Sequence, residues 1–248
     1  MANEQQNPEA AAEIGSFGRV VGAIASPRPT FESIVRKPTW LLPVLLMLVL
    51  NVVLLASFSH RIGWRSIIER QVANNSQFQQ LSPAEQQQRI ARGMKLAPVA
   101  GYVGGTVGTV IILLIVAALF LGAFNLVFGS GIKFKQSLGI TAHAFIPGLL
   151  KSLIGLAVIW VRPPEGVNLQ NLVMSNVGAF LPANTPLWLQ TLCNSLDLFV
   201  FWIIALLALG YTAASSSRKL KFGSALAVVV TIWLVFLLGW VGILAAIR

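Results

Sequence analysis

FGSALAVVVTIWLVFLLGWVGILAAI, residues 222–247, contains no charged side chain. Four further apolar stretches precede it, from Leu41 to Phe58, Val99 to Phe128, Leu138 to Val161 and Leu192 to Ala213. A helix rises about 1.5 Å per residue, so roughly 20 residues cross a hydrocarbon core about 30 Å thick. Lipid offers no partner to a free backbone N–H or C=O, which restricts spanning structures to helices and closed barrels. These runs lack the alternation of barrel strands. The sequence therefore predicts an all-α integral membrane protein with five transmembrane helices.

Composition agrees. Hydrophobic residues make up 56% of the 248 and charged residues only 10%, against about 25% charged in a soluble domain. Five spans, a short N-terminal arm and modest loops use up the chain and leave no room for a large soluble domain. The net charge of +10, from 18 basic and 8 acidic residues, falls mainly between spans. Topology and anionic headgroups account for it there without nucleic acid. Cys193 is the only cysteine, so no internal disulfide or cysteine-rich metal site is expected, and it reads as a small apolar residue at a helix end. Two histidines and few carboxylates argue against a metal site, and no cofactor is implied.

Residues 1–16 read as a polar, disordered tail with no basic n-region or apolar core of a signal peptide. Residues 17–40 read as an interfacial amphipathic elbow. Phe17, Val20, Val21 and Ile24 fall at i, i+3, i+4 and i+7 on one helical face. After Ser26-Pro27-Arg28-Pro29, Phe31, Ile34 and Val35 form a second apolar set, followed by Arg36, Lys37, Pro38 and Trp40. The reading makes Phe17, Val20, Val21, Ile24, Phe31 and Trp40 a membrane-surface anchor.

Residues 41–248 form the membrane domain. The loops holding Lys133 and Lys135, and Arg218, Lys219 and Lys221, carry five bases and no acid, whereas the loop between spans three and four has Arg162 offset by Glu165. This places the N-terminus in the cytoplasm and the C-terminus outside. Against it, the loop 59–98 carries Arg61, Arg65, Arg70, Arg89, Arg92 and Lys95 on the external side. That loop reads as a helical cap, with Trp64, Ile67, Ile68 and Val72 at helical spacing and Ser82-Pro83-Ala84-Glu85 as a capping box. Prolines 163, 164, 182 and 186 break the loop between spans three and four, which reads as interfacial or partly re-entrant. Small residues at Gly101 and Gly105, and at Gly104 and Gly108, are expected to serve close packing within the bundle.

An ionisable group in hydrocarbon costs about 2.5 to 3.5 kcal/mol on insertion scales, so polar residues inside spans are informative. Span three carries His143 and Lys151 on one face with Pro147 between them; span four carries Asn194 and Asp197. Asn51 and Asn125 lie in spans one and two. As a functional set, His143, Lys151, Asn194 and Asp197 could line a proton or substrate path. As structure, Lys151 pairs with Asp197 and the asparagines bond between helices, which one acid and one lysine achieve without any transport cycle. No GxSG with a partner histidine, HExxH, paired intramembrane glutamates or phosphate loop occurs, so the chain reads as non-enzymatic.

Three segments carry a resemblance: Ser26-Pro27-Arg28-Pro29-Thr30-Phe31-Glu32-Ser33-Ile34, His143-Ala144-Phe145-Ile146-Pro147, and Ser195-Leu196-Asp197-Leu198-Phe199 with Trp202. Together they resemble the bacterial branch of the Yip (Ypt-interacting protein) family. The resemblance implies five spans, a cytoplasmic N-terminus and a bacterial cytoplasmic (inner) membrane location, and brings no catalytic residues. Eukaryotic members bind Rab-type GTPases; the arm of about 40 residues here is shorter than theirs, which argues against GTPase binding. The expected function is a scaffold organising membrane lipid or partner proteins, itself included. The alternative is a small transporter or lipid-handling protein using the polar residues of spans three and four.

Overall fold

A computed structural model of the chain describes residues 14–72, 75–168, 171–182 and 184–246. Most of the expected polar tail, up to residue 13, lies outside the described residues. The described residues form eleven α-helices: α1 (Ser16–Ala25), α2 (Pro27–Arg36), α3 (Leu41–Arg61), α4 (Trp64–Val72), α5 (Ser76–Gln79), α6 (Pro83–Phe128), α7 (Phe134–Ala144), α8 (Ile146–Val161), α9 (Leu187–Ser195), α10 (Leu198–Ala214) and α11 (Phe222–Ala246). Four helical stretches are long and apolar enough to cross a membrane: α3, α6, α7 with α8, and α11.

The boundaries differ from expectation where a local interaction outranks hydropathy. The helix that carries the second apolar run begins well before Val99. Ser82 and Glu85 close a capping box, Pro83 opens the helix, and α6 runs on for 46 residues, about 69 Å at helical rise. The expected cap helix and the span are one continuous element. The stretch 192–213 is two helices, because the chain leaves helical geometry at Leu196 and the Asp197 side chain accepts the Phe199 and Val200 amides to start α10. At 17 residues, α10 covers about 25 Å. Span three is interrupted at Phe145. Pro147 has no N–H to give the His143 carbonyl and its ring clashes there, so the helix restarts.

Helix α7 is the axis of the bundle. Every residue from Ser137 to Ala144 is buried, under α1, α2, α3, α6 and α10. The main core gathers Phe31 and Ile34 of α2, Phe120 and Phe124 of α6, Ile140 of α7, Leu207 and Tyr211 of α10 and Val229 of α11. Gly210 makes room for α2, since a Cβ there would collide with the Ile140 side chain and the Phe31 ring. Of the glycine pairs in α6, Gly105 lies so close to Asn51 of α3 that a Cβ would overlap its side chain, and Gly101 faces Trp64 and Leu55; Gly104 and Gly108 face open space. Only one of the two small-residue rows is packed within the chain.

Candidate functional site

The elbow brings its anchor residues to three different places. Phe17 is 70% and Val21 50% exposed. Val20 and Ile24 turn the other way and pack on Ile146 of α8. Phe31 is not at a surface at all: it is fully buried between α10 and α7, because its apolar face meets the notch at Gly210 while Arg28 and Glu32 take the outer side. Trp40 packs with Val44, Leu113 and Ala142. Arg19 of α1, 3% exposed, donates from Nη1 to the Lys37 carbonyl at 2.7 Å and to Thr39 Oγ1 at 3.0 Å. A buried guanidinium thus ties α1 to the start of α3, with no acid paired to it among the described residues.

The charged pair of the membrane domain sits where α8 passes the break before α10. Lys151 Nζ lies 2.6 Å from Asp197 Oδ2, and Ser175 Oγ donates to the same oxygen at 2.6 Å. Asp197 Oδ1 accepts the Phe199 amide at 2.8 Å and the Val200 amide at 3.4 Å. The carboxylate side chain is 1% exposed and the lysine 34%. A buried carboxylate is tolerable only when paired and fully hydrogen-bonded, and four donors meet that demand. The segment supplying Ser175 is itself docked: the Leu198 amide donates to the Ser175 carbonyl at 3.1 Å and the Val177 amide to the Leu196 carbonyl at 3.3 Å. These bonds form an isolated antiparallel bridge between Asn176 and Asp197. Asn176 also donates to Asn171 Oδ1 at 3.0 Å. A cavity of about 190 Å3 bounded by Leu54, Lys151, Asn171 and Asn176 adjoins the pair.

The structure joins two of the four sequence-nominated polar residues by a hydrogen bond. His143, fully buried on α7, shares a hydrogen bond from Nδ1 with the Gly139 carbonyl at 2.9 Å, while its Nε2 has no protein partner. The interruption at Phe145 separates it from Lys151. Asn194 on α9 lies against the short 3-10 turn Val177–Phe180, its Oδ1 without a partner. Only Lys151 and Asp197 meet. Asn125 bonds within its own turn, exchanging hydrogen bonds of 2.9 Å with the Ile132 backbone.

Sequence reasoning missed a second polar cluster at the core. The Tyr211 hydroxyl of α10 bonds with Ser137 and Thr141 of α7, and Ser137 donates to the Ala117 carbonyl of α6 at 2.6 Å. The Tyr211 ring stacks on Phe124 with centroids 4.6 Å apart. Ser137 and Thr141 at i, i+4 were a legible signal, one face of a helix with two hydroxyls. Ser175 and Arg19 carried none, since their partners are distant in sequence. Among the described residues no three His, Cys, Asp or Glu side chains gather into a metal site.

Comparison with known proteins found no curated protein and no solved structure that matches. The Yip1 domain, however, matches residues 21–243, from the middle of α1 almost to the end of α11. With its long apolar helices, the chain is an integral membrane protein that belongs to the Yip family.

Proposed function

We propose that this chain is a non-enzymatic scaffold of the bacterial cytoplasmic membrane, organising lipid or partner proteins, a second copy included. Its N-terminus lies in the cytoplasm, its C-terminus outside, and α10 serves as a short fifth span. The observation that carries the reading is the saturation of Asp197 by Lys151, Ser175 and two backbone amides. A carboxylate held by four donors stabilises a helix junction and has no free lone pair directed at cargo. Exposed Phe17 and Val21 give α1 a face to rest on the membrane surface.

A transporter or lipid-handling role is the second reading, favoured by the cavity beside Lys151 and the unpartnered Nε2 of His143. Reconstitution in vesicles holding a pH-sensitive dye separates the two. The scaffold reading expects no proton flux above protein-free vesicles under an imposed gradient and energy transfer between labelled copies above the random-mixing level. Flux that Asp197→Asn abolishes would establish the transporter instead. Cysteines placed at 133 and 218 should label from the cytoplasmic side, and those at 82 and 162 from outside; labelling of residue 82 only from the cytoplasm overturns the orientation.

A further inference from the structure

Where α10 ends and α11 begins, a cavity of about 500 Å3 opens between α2 and the two helices, lined by Arg28, Glu32, Leu209, Thr212, Ala213 and Phe222. Ala213 is one residue from the end of α10 and Phe222 is the first residue of α11. The cavity therefore lies where the apolar runs of both helices stop, the level at which acyl chains give way to headgroups. Apart from Thr212, whose hydroxyl donates to the Ala208 carbonyl, its wall is apolar, and its exposed lining carries one cation and one anion. Arg28 Nε stands 3.6 Å from Glu32 Oε1 one turn along α2, with both side chains at least half exposed. Such a pair contributes little to stability and opens readily.

We propose that this cavity binds a zwitterionic glycerophospholipid with a primary ammonium, the phosphatidylethanolamine class. The Arg28 guanidinium, a planar fork of donors, matches the phosphodiester oxygens. The Glu32 carboxylate, an acceptor only, takes an N–H from the ammonium. A choline headgroup has no N–H to give, and an anionic glycerol headgroup brings no cation to Glu32. Leu209, Ala213 and Phe222 receive the first methylenes of the acyl chains. Arg218, Lys219 and Lys221 in the adjoining turn attract any anionic lipid at long range. Headgroup choice by the cavity is therefore read in high salt, where the screening length shrinks to roughly 4 Å at about 0.5 M.

The site is distinct from the Lys151–Asp197 junction, and its headgroup preference does not depend on whether the chain is a scaffold or a transporter. The full chain in mild detergent and high salt is titrated with phosphatidylethanolamine, phosphatidylcholine or phosphatidylglycerol of identical acyl chains. Binding is followed by native mass spectrometry and thermal unfolding. The ethanolamine lipid should bind about fivefold tighter than the other two, the ratio one partly exposed charge-assisted hydrogen bond supports. Glu32→Gln should remove that preference while leaving phosphatidylcholine binding unchanged, and Arg28→Gln should weaken all three lipids. Both side chains point outward, and an unchanged lipid-free Tm checks that each variant folds. Phosphatidylglycerol binding as tightly as phosphatidylethanolamine, or a preference that survives Glu32→Gln, overturns the proposal.

Discussion

Arg61, the last residue of α3, lies over the ring of Trp160 near the end of α8, its guanidinium carbon 5.4 Å from the centroid. The same guanidinium donates to the carbonyls of Ile159, Trp160 and Arg162 at 3.3 to 3.4 Å. These include carbonyls left without intrahelical partners at a helix C-terminus, where a cation also meets the negative end of the dipole. Arg70 does the same for the Pro164 and Val167 carbonyls at 3.0 and 3.1 Å, and Arg65 pairs with Glu69 at 3.2 Å. Three of the six bases of the segment 59–98 thus have partners within the protein. Their presence there weighs less against a cytoplasmic N-terminus than their number suggests.

Arg61→Met should lower stability by about 1 to 2 kcal/mol, since it removes a stacked cation and uncovers several carbonyls. Arg61→Lys should recover only part of that, because an ammonium cannot serve three divergent carbonyls as the planar fork does. Thermal unfolding in detergent measures both. Equal Tm values for wild type and Arg61→Met would show the contact to be idle.

The Lys151–Asp197 pair calls for three substitutions. Lys151→Met leaves a buried carboxylate without its cation, a loss on the order of 3 kcal/mol. Asp197→Leu removes the partner and also the cap of α10, so it should cost more than Asp197→Asn, by about 1 kcal/mol, because Asn still caps. The Lys151→Met, Asp197→Asn double variant should be more stable than the two single losses added together. Strict additivity in this cycle would show that the two side chains do not interact.

Tyr211→Phe keeps the stack on Phe124 and deletes only the hydroxyl shared with Ser137 and Thr141. The expected loss is about 1 to 2 kcal/mol. Tyr211→Ala also opens a core cavity and should cost about 3 to 5 kcal/mol. Calorimetric or fluorescence-detected unfolding that fails to separate the two variants would remove the hydroxyl from the account.

The apolar runs of α3 and α11 were legible because nothing in them competes with hydropathy. The start of α6 was legible too, as the capping box at Ser82–Glu85; its continuity with the second apolar run was not, because the polar residues from Glu85 to Lys95 are good helix formers and a helix, once capped, propagates without apolar side chains. The start of α10 was missed because a capping Asp inside an apolar run looks like a charge within a span. Spacing alone also did not show that the helix is interrupted at Phe145, between His143 and Lys151. The elbow shows the limit of periodicity most plainly. Spacing says that Phe31 has an apolar side to hide, and it does not say whether lipid or protein covers it.

Glu85 supplies a pH test at the start of α6. Hydrogen bonds from the Ser82 hydroxyl at 2.6 Å and the Ser82 amide at 2.8 Å hold its carboxyl below the ordinary glutamate range. The ionised form is the one that accepts these bonds, so the cap is fully present above the unfolded-state pKa and is lost as pH falls through the lowered folded value. Amide exchange at Ser82 and Gln86 should therefore stay slow relative to the intrinsic rate until the pH drops below the normal range for a glutamate, then accelerate. Glu85→Gln should abolish the pH dependence. A transition at the unperturbed glutamate pKa would show that the box is not formed.

The final prediction separates the two faces of α1. Val20 is 9% exposed and Val21 50%, although they are neighbours on what spacing alone makes a single apolar face. Val20→Asp would bury a carboxylate against Ala23 and Ile146, a loss on the order of 3 kcal/mol. Val21→Asp places its charge where no core residue covers it. It should leave Tm within the range of surface changes, about 0.5 kcal/mol, and weaken only the hold of α1 on the membrane surface. In vesicles, amide exchange over residues 17–24 should then quicken for Val21→Asp at unchanged Tm, while Val20→Asp lowers Tm and quickens exchange in α8 as well. Equal effects of the two substitutions on Tm would mean that α1 does not pack on α8 through Val20, and the elbow would return to the membrane surface.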